Sequence, residues 1–295
     1  MSIGWGETCS VACALIWAIV TISLKKVGER VPPFELNLYK NIGMALLLVP
    51  AILLFEAQAW GEFKTEEVGI LLFSGVVGVC LADWFLLASI NLLGAGRNAI
   101  LDCLYSPFVM LMAWKYLGED LETKRLAGAS LVVIGIIVAT TSGRGEVKKG
   151  NLAKGVSFGI AAMFAMAVAI VAAKPIMERA PIFITMEIRM LAGVTAGIIG
   201  LGAVGKLGIF VKTSTAASFP HLKIWTGICL PAFFAMCLWV EGYRLIDASL
   251  ASILNQTSTF FILGFAAIFL GEKLTKEKIF GSLLAFGGVI LIVAL

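Results

Sequence analysis

The chain has 295 residues, of which 60% are apolar and only 14% charged, and its mean hydropathy is +0.97. That balance excludes an ordinary soluble domain with a wetted surface, so the bilayer is the solvent for most of the chain. The formal net charge of +4 is small and spread over polar breaks, which argues against a nucleic-acid surface.

A membrane-spanning helix needs about 20 mainly apolar residues at 1.5 Å rise each. The sequence offers ten such runs in order. The first five are Cys9 to Leu24, Phe34 to Phe55, Val68 to Leu92, Asn98 to Leu117 and Leu126 to Thr141. The second five are Leu152 to Ala173, Pro181 to Val204, Leu222 to Leu245, Ser249 to Leu270 and Ile279 to Leu295. These runs are apolar all round, whereas barrel strands alternate, so the expected fold is an all-α integral membrane protein. The first run lacks a basic start and a small-residue cleavage pattern, and is expected to stay as helix one rather than leave as a signal peptide. The longest breaks, near Ala57 to Glu67 and Ser142 to Asn151, are too short to fold alone.

The second half repeats the first. Lys25, Glu29, Arg30, Pro32 and Phe34 return 149 positions later as Lys174, Glu178, Arg179, Pro181 and Phe183, and Lys40 is answered by Arg189. An offset of 153 then aligns Leu117, Gly118, Glu119, Gly128 and Gly135 with Leu270, Gly271, Glu272, Gly281 and Gly288. The halves divide at residues 1–146 and 147–295. Duplication of this kind in a membrane protein points to a secondary transporter, with its solute site between the repeats near the bilayer midplane.

The Leu-Gly-Glu turn, followed by a glycine-bearing helix in each half, resembles the ten-helix, EamA-type members of the drug/metabolite transporter superfamily. Trp17 and Lys25 in helix one, Pro33 followed by a basic residue in helix two, and Pro107 in helix four fit the same resemblance, which covers nearly the whole chain. The sequence departs from that pattern with Lys40, where arginine is more usual, and with Phe260 in place of a helix-nine proline. The resemblance implies ten transmembrane helices as two inverted five-helix repeats around a central cavity, in the plasma membrane, exporting or exchanging small organic solutes. It also implies cytoplasmic termini. The charge count says otherwise: most lysines and arginines fall in the breaks after odd-numbered helices, which by the positive-inside rule puts both termini outside. The glycine of the turn suits a left-handed helix end, and its glutamate favours the positive end of the helix that follows.

Charges inside spans cost about 2.5 to 3.5 kcal/mol each on insertion scales, so they mark a cavity or a partner. Helix four places Asn98, Asp102 and Tyr105 on one face at spacings of four and three. Pro107 cannot donate to the carbonyl of Cys103, which predicts a kink beside Asp102. In helix nine, Asn255 aligns with Asp102 and shares a face with Ser252 and Thr259. These polar groups suit either a wet cavity or hydrogen bonds between helices. Lys40 and Arg189 either clamp an anionic group or pair with Asp83, Asp102, Glu187 or Glu241. Glu241 also has Arg244 three residues on, a local ion pair. Trp84, Trp239 and Tyr243 lie beside these acids and can stack on a solute ring or cation. Asp83 and Asp102 are candidate proton carriers, which would make a proton the coupled ion.

No metal or cofactor is expected. The six cysteines lie within apolar runs without metal-pair spacing, and His221 has no ligand neighbours in sequence. A nucleotide-binding loop, a serine elbow and a His-Glu-x-x-His motif are all missing, which disfavours an ATP-driven pump and a membrane enzyme. A carrier working by alternating access is the preferred reading, with a channel or an enzyme using buried acids as the alternatives.

Overall fold

The computed structural model describes residues 4–59, 63–117, 123–141, 149–216, 218–245 and 254–293. Among the described residues every regular element is helical. Helices α1 (Trp5–Gly28) and α2 (Pro33–Phe55) open the chain, α2 starting on a proline whose missing N–H would have had no helical partner. The next span begins as α3 (Thr65–Ser74), widens into a π segment at Gly75–Ala82 and resumes as α4 (Asp83–Leu93). Helix α5 (Ala95–Leu101) passes through one 3-10 turn at Asp102–Leu104 into α6 (Tyr105–Leu117), and α7 (Thr123–Thr141) follows.

The second half supplies α8 (Lys149–Met177), α9 (Ile182–Ala203) and a short α10 (Leu207–Ser214) in a polar break. One turn, α11 (His221–Ile224), leads through a π segment at Trp225–Cys229 into α12 (Leu230–Leu245). Helices α13 (Ser258–Leu270) and α14 (Lys276–Val293) close the described chain. Among the described residues six helical stretches are long and apolar enough to cross a membrane: Trp5–Gly28, Pro33–Phe55, Thr65–Leu93, Asn151–Met177, Ile182–Ala203 and His221–Gly242. Leu126–Ala139 and Leu254–Leu270 are shorter apolar helices. The first five residues of the expected ninth span, 249–253, lie outside the described residues.

Lipid gives helices no hydrophobic reason to associate, so contact depends on backbones coming close. Helices α7 and α14 do this through the glycines that the repeat aligns. A Cβ added to Gly135 would lie 2.5 Å from the carbonyl oxygen of Gly281, and one on Gly288 would lie 2.6 Å from that of Gly128. The partner number falls as the α7 number rises, so the two helices run antiparallel. Helices α2 and α9 also oppose each other: Gly197 approaches Leu38 and Gly200 approaches Phe34, while at the other end Phe55 meets Phe183 at 5.9 Å between ring centroids. On α8, a Cβ at Gly155 or Gly159 would press on Leu93 or Leu101 at 2.6 and 2.7 Å. Trp17 packs where three apolar clusters meet.

Two carboxylates hold helix ends across the halves. Glu56, at the end of α2, accepts from the N–H groups of Phe183 and Ile184 at 3.2 and 2.9 Å, at the start of α9. Glu272 accepts from Ala95 and Gly96 at 2.7 and 3.1 Å, at the start of α5. The glutamate of the turn therefore caps amides of a helix in the opposite half, while Lys278 of the helix that follows lies 4.0 Å from its Oε2. A carboxylate in this place satisfies two amides that have no helical acceptor and also meets the positive end of the dipole. Gly271 beside it has φ +67, the left-handed end that its sequence position suggests. The matching Gly118 and Glu119 lie outside the described residues.

Gly135→Leu is expected to destabilise the protein by about 3 kcal/mol, because the new side chain points at the backbone of α14. Thermal unfolding in detergent would measure it, with an exposed site such as Ile137→Leu unchanged. Glu56→Ala leaves two helix-end amides without their acceptor and is expected to cost about 1 to 2 kcal/mol in the same assay.

Candidate substrate site

The π segment in the third span offsets carbonyl groups from α-helical register, and α2 supplies the donors that meet them. Asn37 Nδ2 donates to the carbonyls of Val79 and Cys80 at 3.0 and 3.1 Å, and Asn41 Nδ2 donates to Val79 at 2.9 Å. Between these asparagines Lys40 Nζ reaches Asp83 Oδ2 at 2.5 Å, with the lysine 6% exposed. The lysine therefore has an acidic partner in its own half. Pairing removes the cost of an isolated charge in a low dielectric, but breaking the pair would leave one.

Arg189, its repeat counterpart, is bonded differently. Its guanidinium is buried, Nε donates to Ser74 Oγ at 3.0 Å, and Nη1 lies 3.5 Å from Met186 Sδ. Ser74 in turn donates to the carbonyl of Ala169 at 2.7 Å. Arg189 is thus held by a residue of the first half and interacts electrostatically with Asp83 and Tyr105. Small residues make room for it. A Cβ at Gly75 would collide with the Arg189 backbone, and one at Gly78 would lie 3.6 Å from Nη2. Two residues earlier on α9, Glu187 is 5% exposed, and its Oε2 has no hydrogen-bond partner among the described residues.

The break expected near Pro107 falls at Asp102–Leu104, where the helix tightens to a 3-10 turn. Asn98 Nδ2 donates to Asp102 Oδ1 at 3.0 Å, and its own Oδ1 finds no partner among the described residues. Asp102 and Tyr105 are partly accessible on this wall. Asn255 is partly accessible three residues before α13 begins. Thr259 is 1% exposed and donates to the carbonyl of Ala99 at 3.1 Å, so its hydroxyl joins α13 to α5. Of the two readings open for it, the bond between helices is the one observed.

Trp84 packs edge-on to Phe34 at 5.3 Å and against Phe85 at 5.1 Å, forming part of an aromatic wall. Trp239 packs against the cluster of Leu48, Ile52, Ile184 and Met186. Glu241 is partly accessible on α12, while the side chains of Tyr243 and Arg244 lie outside the described residues. His221 Nδ1 shares a 2.6 Å hydrogen bond with the Tyr39 hydroxyl.

Lys40, Asp83, Arg189 and Tyr105 therefore share one electrostatic neighbourhood, Asn98 and Asp102 form a second polar unit, and Trp239 with Glu241 lies on a third element. Sequence reasoning passed over Asn37, Asn41 and Ser74. The asparagines carried a signal, since Asn37, Lys40 and Asn41 fall on one helical face at spacings of three and four. Ser74 carried none, being an ordinary small residue in an apolar run.

The EamA-like transporter family model matches the chain twice, over residues 4–141 and 153–294. The uncharacterized transporter YoaV of Bacillus subtilis (strain 168) is 25% identical over 138 residues, an alignment covering 46% of this chain and 47% of that protein. The chain thus matches about half the length of that curated relative. A solved crystal structure superposes on the whole chain and on 99% of its own, with a TM-score of 0.68 at 17% identity, a likeness of fold. With its several apolar spans, the chain is a multi-pass protein of the plasma membrane and belongs to the EamA-like transporter family.

Proposed function

We propose that the chain is a secondary transporter, exporting or exchanging a small organic metabolite by alternating access, built from ten spans as two inverted five-helix repeats. The antiparallel pairing of repeat-equivalent helices supports the inverted arrangement: α7 lies against α14, and α2 against α9, in opposite directions. Equivalent helices in a parallel repeat would run the same way.

The observation that carries the functional reading is the buried charge cluster at the junction of the halves. Lys40 and Asp83 come from the first half, and Arg189 comes from the second while bonding to Ser74 of the first. Charges so deep in apolar spans are expensive to retain, and a solute or ion pathway accounts for them. The partly accessible Asp83, Asp102, Tyr105 and Asn255 supply acceptors and donors for a solute with polar groups. Rocking of the halves would expose this cluster first to one side and then to the other. Asp102 is the proposed proton carrier.

In proteoliposomes, unlabelled solute trapped inside is expected to drive saturable uptake of labelled solute, and unsaturable flux without counterflow would instead mark a channel. An imposed pH gradient should drive wild-type uptake but not uptake by Asp102→Asn, with counterflow retained; wild-type flux indifferent to the gradient removes the proton. Lys40→Met and Asp83→Leu are each expected to cost about 3 to 5 kcal/mol of stability, while the double variant costs less than their sum, as unfolding of all four proteins would read out.

A further inference from the structure

Glu187 stands in the second turn of α9, an apolar span packed against α2 and the first π segment through Gly197 and Gly193. It is 5% exposed, and its Oε2 has no hydrogen-bond partner among the described residues. The two cations that the repeat places nearby are committed elsewhere. Lys40 holds Asp83, and Arg189 holds Ser74 Oγ and Met186 Sδ. Arg189 is only two positions on, but residues two apart do not face each other on a helix. Met190, three residues on, shares the face of Glu187 and packs with Phe233 and Met236 of α12 against two apolar clusters. Trp239 of α12 packs against the cluster that holds Met186.

A buried carboxylate without a counter-charge is strongly unfavourable at low dielectric, so the group needs a positive partner from outside the chain or a proton. Polarizable sulfur and the negative faces of aromatic rings suit a cation with apolar substituents and offer nothing to an anion. We propose that Glu187 is the counter-ion for the ammonium group of an organic amine, and, resting on the transporter reading above, that this amine is the class of solute carried. The site opens as α9 parts from α2, which exposes the acid between the halves.

A ligand that binds only the folded protein raises its Tm with occupancy. Thermal unfolding of the purified full chain in detergent should show a saturable Tm rise with 2-phenylethylamine, butylamine or putrescine. Neither 2-phenylethanol nor phenylacetate, at equal concentration and ionic strength, should reproduce it. Glu187→Gln keeps the shape of the side chain and should weaken the apparent affinity for the amine about tenfold or more. Its own Tm should not fall, since no bond to Oε2 is broken. Glu187→Asp keeps the carboxylate and should retain the preference for amine over alcohol, which preserves the test if the glutamine variant fails to fold. No rise with any of the three amines, an equal rise with the alcohol, or wild-type affinity in Glu187→Gln overturns the proposal. Binding in detergent requires no transport, so that failure leaves the counterflow result standing, whereas amine binding without counterflow counts against the transport reading alone.

Discussion

Backbone contact at glycine is the constraint on which the arrangement rests. In lipid no water is released when apolar side chains meet, so helices stay together through close packing and the few hydrogen bonds that proximity allows. Gly128 and Gly135 on α7, with Gly281 and Gly288 on α14, bring two main chains to a separation that any side chain would forbid. The two glycine pairs are repeat equivalents, and they meet in reversed order, Gly128 against Gly288 and Gly135 against Gly281. That contact is self-complementary in the way a symmetric dimer interface is, within a single chain.

The polar groups depend on the same proximity. Asn37 and Asn41 can reach the carbonyls of the π segment only because α2 lies along it, and that grip places Lys40 beside Asp83. Gly75 likewise lets the α9 backbone at Arg189 come close. Matched basic residues thus have unlike partners, an acid for Lys40 and a serine with a methionine for Arg189. The repeat preserves position, and the surroundings decide chemistry.

Much of the fold was legible in the sequence because bilayer thickness imposes one length scale and hydropathy reports it directly. The run from Phe34 to Phe55 became α2 starting one residue earlier, and the run from Val68 to Leu92 became Thr65–Leu93. Pro107 foretold the break at Asp102–Leu104 through a local rule about hydrogen-bond donors. Partners across helices were not legible. Thr259 could face a cavity or Ala99, and Glu272 could serve its own helix or α5, because neither spacing nor composition says which helices touch. The π segments were invisible for a related reason: a widened turn depends on what packs against it, and Gly75–Ala82 reads as any other apolar stretch.

Glu56 and Glu272 grip the first amides of α9 and α5, at ends of the spans and not at their middles. At the bilayer centre a released N–H finds no substitute acceptor, so parting there would cost the full price of an unmade hydrogen bond. At a helix end the headgroup layer holds water, and water takes the place of the carboxylate as soon as the two separate. The halves are therefore fastened at helix ends, where water can compensate an unfastened amide, and not at the depth of the bilayer where nothing can.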